Sequence, residues 1–123
     1  MALRRLDHVS ILAKDPAPVL DFYGQVLGFK LERKRDLPEM GMTIYELKAR
    51  GDFVELIVPT DPSSQVEGVQ HVAFLSDDIE ADFDAFRKAG ARLLHKSIQR
   101  HGDVSLFFAQ APAGHYVEVI QYA

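Results

Sequence analysis

The sequence predicts an α+β fold made of one β-α-β-β-β unit used twice. Three observations carry that reading. First, the chain matches itself at an offset of 63, so Asp7–His–Val–Ser–Ile–Leu12 falls on Gln70–His–Val–Ala–Phe–Leu75. At the same offset Gly51–Asp–Phe–Val–Glu–Leu–Ile57 falls on Gly114–His–Tyr–Val–Glu–Val–Ile120. Self-similarity at a fixed period marks a repeated structural unit. Second, short stretches with apolar residues at every other position recur in each half, as half-buried strands require. Third, each half holds one helical stripe between an aspartate and a glycine, the residues that start and stop helices.

The elements follow in order. Leu3–Ala13 alternates as a first strand. Asp15 is an N-cap with Pro16 in the first turn. Val19, Leu20, Phe22, Tyr23, Val26 and Leu27 then form a helical stripe that Gly28 ends. Strands are expected near 29–36, 42–49 and 52–58. Pro59–Thr–Asp–Pro–Ser–Ser–Gln–Val–Glu67 reads as a Pro/Ser linker. The second half opens with a strand over Val69–Ser76. Asp77 or Asp78 caps a helix with Ile79, Phe83 and Phe86 on one face, and Gly90 stops it. Strands near 91–100, 103–110 and 115–122 complete it. The organisation is one domain over 1–123: module 1 at 1–58, a linker at 59–68, and module 2 at 69–123.

Composition removes several classes of function. At 123 residues with 47% hydrophobic and 26% charged, the chain is of ordinary globular make-up. A net charge of −4 with no basic block argues against nucleic acid. No apolar run reaches the ~18 residues of a membrane span. No apolar segment follows Arg4 and Arg5, so no signal peptide is read and the cytoplasm is the expected compartment. Cysteine is absent, which excludes thiolate metal sites, disulfides and a cysteine nucleophile.

Four side chains are out of place on core strands. His8 shares a strand face with Leu6, Ser10 and Leu12. His71 shares one with Val69, Ala73 and Leu75. Glu55 lies between Phe53 and Ile57, and Glu118 between Tyr116 and Ile120. Taken singly, a strand glutamate is a solvated residue and a histidine flanked by valine a structural one. Paired at one offset on corresponding strands, they look like the lining of a cavity. An unpaired buried carboxylate costs several kcal/mol. Two carboxylates about 4 Å apart repel by roughly 4 kcal/mol at an effective dielectric of 20. A divalent cation relieves both, and two imidazoles with two carboxylates suit Ni, Co, Zn, Mn or Fe.

These residues carry a resemblance. Leu6–Asp–His8, Asp21–Phe–Tyr23, Val26–Leu–Gly–Phe29, Phe53–Val–Glu55, Gln70–His–Val72 and Gly114–His–Tyr–Val–Glu118 resemble the vicinal-oxygen-chelate superfamily, or glyoxalase/bleomycin-resistance/dioxygenase superfamily. The resemblance spans nearly the whole chain. It implies a cupped, eight-stranded mixed sheet with helices outside, around a metal held by His8, Glu55, His71 and Glu118. It also implies a homodimer, a small-molecule substrate, and a cup that in short members is completed across the dimer. The order His, Glu, His, Glu is similar to glyoxalase I. That implies a lyase or isomerase moving a proton beside a metal-chelated carbonyl through an enediolate, with Glu118 as first candidate base and Glu55 as second.

The resemblance has departures. Glyoxalase I usually has an arginine and an asparagine for glutathione where this chain has Leu12 and Pro59, and neither can grip a charged tripeptide. Asp36–Leu–Pro–Glu–Met–Gly41 with Val58–Pro59 is more similar to methylmalonyl-CoA epimerase. Extradiol dioxygenases and metal-free ligand-binding resistance proteins share the superfamily as further alternatives. Other polar residues read as bystanders. His95, Ser97, Gln99 and His101 fit a polar edge strand. His115 is expected to face solvent. Tyr45 and Glu46 point opposite ways, so one of them at most enters the cup. Lys30–Leu–Glu–Arg–Lys–Arg35 reads as a solvated edge.

Overall fold

The structure is a computed structural model describing residues 2–61 and 65–123. Met1 and the linker residues Pro62, Ser63 and Ser64 lie outside the described residues. The order is β1 (Leu3–Leu12), α1 (Pro16–Asp21), a π-helical turn (Phe22–Val26), β2 (Lys30–Leu37), a 3₁₀ turn (Pro38–Met40), β3 (Met42–Ala49), β4 (Asp52–Pro59), β5 (Gly68–Ser76), α2 (Ile79–Lys88), β6 (Arg92–Leu93), β7 (Gln99–His101), β8 (Val104–Gln110) and β9 (Tyr116–Tyr122). The βαβββ unit is thus present twice, in an α+β fold. The chain divides into two compact units, one of His8–Gln70 and one of the residues up to Asp7 with His71–Ala123.

In the His8–Gln70 unit the strands run β2-β3-β4-β1. The β2/β3 and β3/β4 pairs are antiparallel, and β1 lies parallel to β4 with Ser10 opposite Glu55. Leu47 and Leu56 are buried on one face of these strands, and Ile44 and Ile57 on the other. The helix departs from expectation. Asp15 caps it as foreseen, accepting from Ala17 N at 3.1 Å. It is α-helical only to Asp21, and the next five residues form a π turn in which Leu27 N–H donates to Phe22 O at 3.2 Å. The cause is countable. Asp15 and Asp78 stand 63 apart, but the stopping glycines, Gly28 and Gly90, stand 62 apart. The first helix carries one extra residue, and a π turn is the usual way to absorb one. As a result none of the stripe is buried, and Phe22, Val26 and Leu27 are exposed.

The other unit runs β5-β9-β8-β6, with β7 also paired to β8. β5 is parallel to β9, placing Ala73 opposite Glu118, and β8 is antiparallel to β9, placing Phe108 opposite Glu118. Ile79, Phe83, Phe107 and Val119 form its core, with Leu3, Phe86, Leu93 and Ile98 packed around it. Phe83 and Phe86 each meet Phe107 edge-on at 5.1 Å. Asp78 caps α2 by accepting from Ala81 N, and Arg87 and Lys88 stand in its last turn, where they complement the helix dipole. The fully buried Asp82 accepts from Ala2 N at 2.8 Å and Ser76 Oγ at 2.6 Å, tying the N-terminal segment to α2.

One expected strand is two. Instead of a single strand at 91–100, β6 and β7 flank a bend at residues 94–97, so nine strands are described rather than eight. Leu93 faces Ala109 and Gln99 faces Leu106, so six steps on one side match three on the other. The surplus residues leave the ladder. His95 and Ser97 are therefore exposed and off the strands, His101 is exposed on β7, and Gln99 is half-buried. His115, expected in solvent, is half-buried, and its carbonyl accepts from Ala111 N at 2.8 Å.

Candidate metal centre

The predicted ligands fall into two half-sites, one in each unit, and the second lies on the sheet face turned away from α2. In the second, β5 and β9 carry His71 and Glu118. Period-2 alternation separates them from Val119 and Phe107, which pack against α2 on the opposite face. His71 Nε2 lies 3.3 Å from Glu118 Oε1, and both side chains are over nine-tenths buried. Phe108 stands edge-on to the His71 ring at 5.2 Å. The cross-strand neighbours of Glu118 are Ala73 and Phe108, whose side chains offer no hydrogen bond. A carboxylate buried beside an imidazole on such a face favours a cation nearby, since burying negative charge is costly without opposite charge.

The first half-site has the same plan and different furniture. His8 is buried on β1, its ring 5.0 Å from that of Phe53. Glu55 on β4 accepts from Ser10 Oγ at 2.8 Å. Directly opposite Glu55 in the β3/β4 register stands Glu46, and like charges so placed are destabilising. Arg35 relieves this. Its Nε is 2.9 Å from Glu46 Oε2 and its Nη2 is 4.0 Å from Glu55 Oε2. The buried Nε–H has no aligned acceptor, so charge rather than hydrogen-bond direction holds Arg35 to Glu46.

Sequence reasoning missed Ser10, Glu46 and Arg35 as a set. Arg35 was read with a solvated edge, which holds for the exposed residues 30–34 but not for it. The reason is a β-bulge between Leu31 and Arg33, where Leu31 faces Leu47 and Arg33 faces Glu46. Without the extra residue, regular alternation would put Lys34 on the Glu55 face. The bulge re-aims the strand and puts Arg35 there instead. Of Tyr45 and Glu46, it is Glu46 that shares the face of Glu55.

The donor set fits a borderline divalent cation. Imidazole nitrogens and carboxylate oxygens are available, His8, His71 and Glu118 are buried, and the chain has no thiolate. Each βαβββ unit presents a buried histidine and a glutamate on one sheet face, a donor set that could hold a metal ion. The comparisons narrow the class. Residues 5–119 match the Glyoxalase/Bleomycin resistance protein/Dioxygenase superfamily, and the chain belongs to it. It is 29% identical to a probable lactoylglutathione lyase of Synechocystis, over 93% of this chain and 92% of that one. It is 29% identical to the ethylmalonyl-CoA/methylmalonyl-CoA epimerase of Cereibacter sphaeroides, over 84% of this chain and 86% of the relative. Among solved structures, a point variant of Streptomyces coelicolor methylmalonyl-CoA epimerase in complex with 2-nitronate-propionyl-CoA superposes with a TM-score of 0.80 at 27% identity, covering 98% of this chain and 96% of the other. No helix among the described residues is long and apolar enough to cross a membrane.

Proposed function

We propose that this protein is a divalent-metal-dependent lyase or isomerase that moves a proton at a carbon beside a carbonyl. The carrying observation is the buried His71–Glu118 contact, in which a carboxylate sits in apolar surroundings on a sheet face free of its own helix. In this reading His8, Glu55, His71 and Glu118 hold one cation. A bound cation would supply Lewis-acid stabilisation of the negative charge that develops on the carbonyl oxygen. Glu118 takes the proton and returns it, as a positioned carboxylate general base does. Glu55, held by Ser10, serves as the fixed partner. Phe53, tilted against the His8 ring, and Phe108, edge-on to the His71 ring, set the ring planes and exclude water.

A second reading, epimerisation of an acyl-CoA thioester, is favoured by one feature of the first unit. A cavity of about 130 Å³ opens beyond Glu55 on the same face, lined mainly by Leu12, Met40, Met42, Ile57 and Pro59, with Gln65 and Gln70 as its polar members. Such a lining suits an apolar arm better than a charged peptide. The test is elemental analysis of purified protein, followed by solvent-deuterium exchange into hemithioacetals and into 2-methyl acyl-CoA thioesters. The proposal expects about one metal per set of four ligands and exchange with one of the two substrate classes. Metal-free protein, or no exchange with either, overturns it.

A further inference from the structure

We propose that Glu46 and Arg35 form a charge latch that decides whether Glu55 is available to a cation. Glu46 takes the closer hold on the Arg35 guanidinium, at 2.9 Å, and so keeps it from closing from 4.0 Å onto Glu55. The inference rests on the reading of Glu55 as a metal ligand, and it assigns Glu46 and Arg35 as positioning residues, not ligands.

Three placements carry it. Glu46 and Glu55 are direct cross-strand partners on β3 and β4, so one guanidinium can reach both. Arg35 stands nearer Glu46, at 2.9 Å, than Glu55, at 4.0 Å. Ser10 occupies the other oxygen of Glu55, Oε1, from β1. A guanidinium is built to take a carboxylate with two parallel N–H bonds. If Glu46 lost its charge, Glu55 would be the remaining anion among these groups for Arg35, which would swing to the oxygen a cation needs. Arg35 would then compete with the cation for a single carboxylate. With Glu46 charged, the guanidinium is engaged, the two carboxylates are kept from repelling each other, and Glu55 keeps one oxygen outside a bidentate pair. The β2 bulge that brings Arg35 onto this face makes the latch possible.

The consequence is a non-additive pattern that a merely structural role does not produce. The 123-residue protein is titrated calorimetrically with Co²⁺ or Zn²⁺ alone, with melting curves run alongside. Glu46→Gln binds the cation at least about tenfold more weakly, about 1.4 kcal/mol, though Glu46 donates nothing to it. Arg35→Met binds at least as tightly as the parent. The double variant, with neither latch residue charged, returns to within about threefold of the parent. A Glu46→Gln protein with parental affinity, or a double variant as weak as Glu46→Gln, overturns the latch. If Glu46→Gln does not fold, Arg35→Met decides alone, since weaker binding there contradicts competition. Absence of binding by the parent would instead remove the metal reading itself, and the latch with it.

Discussion

The two half-sites share a plan, each histidine lying against a phenylalanine, and differ in what surrounds the glutamate. At the 63-residue offset Ser10 becomes Ala73, and at the position opposite the glutamate Glu46 is replaced by Phe108. Glu55 therefore lives among a hydroxyl, a second carboxylate and a guanidinium, while Glu118 lives among alanine, phenylalanine and the His71 ring. A duplicated scaffold can keep its ligand types while changing what surrounds them. The surroundings, not the ligand types, distinguish a carboxylate that accepts from a serine hydroxyl from one whose cross-strand neighbours are alanine and phenylalanine. The sharpest way to break this comparison is to neutralise each glutamate in turn. Glu118→Gln should lower turnover by about 10²–10⁴, the usual worth of a positioned general base, with the protein still folded. Glu55→Gln should lose metal affinity foremost and regain much of its turnover at saturating metal. Equal loss in both variants under saturating metal would erase the distinction.

The helices differ as much as the sites. α2 buries Ile79 and Phe83 against Phe107, whereas no residue of α1 or of its π turn is buried. Phe107→Ala should cost about 3–5 kcal/mol, because it empties a tightly packed site at 1% exposure. Val26→Ala, at 67% exposure, should stay within about 0.5 kcal/mol. Urea unfolding of both variants checks the contrast. A large cost at Val26 would mean that its side chain is covered in the working protein.

Much of this was legible before any coordinates. The βαβββ pattern was readable from the offset of 63, Asp15 caps its helix as expected, Asp78 rather than Asp77 caps the other, and strand parity puts His71 and Glu118 on the face away from α2. What failed did so where regular periodicity fails. One inserted residue turned a helix end into a π turn, one bulge moved Arg35 to the Glu55 face, and surplus residues between Leu93 and Gln99 split a strand. Alternation arguments assume that every residue advances the pattern by one step, and a bulge is a residue that does not.

A substitution that copies one half-site into the other sharpens the comparison. Ala73 stands opposite Glu118 as Ser10 stands opposite Glu55. Ala73→Ser adds one buried oxygen, placed to donate to Glu118 as Ser10 does to Glu55. It should add a hydrogen bond to the proposed base and lower turnover by about tenfold, leaving metal affinity within about threefold. The pair of readings separates the outcomes. A fall in affinity without a fall in turnover would show that holding Glu118 does not hinder the proton step.

The smallest expected effect comes from another repeat pair, Asp21 and Asp84. Asp84 is followed at the helical spacing by Arg87 and Lys88, and it pairs with both, at 2.5 Å and 2.9 Å. Asp21 is followed at the same spacing by Gly24 and Gln25, which carry no charge. The hydrogen bonds from Lys88 and then Arg87 hold the Asp84 carboxyl below its ordinary value. A carboxyl lowered in the folded state binds its proton less readily there than in the unfolded chain. Its stabilising contribution is therefore complete above the ordinary carboxylate range and is lost as pH falls through that range and the lower folded value. The group is exposed, so the effect is small and screened by salt. Melting curves of Asp84→Asn and the parent should differ slightly at pH 7 in low salt and converge near pH 2, while Asp21→Asn serves as the control lacking those partners. A difference that widens toward low pH would reverse the sign of the linkage and assign Asp84 a partner other than these two cations.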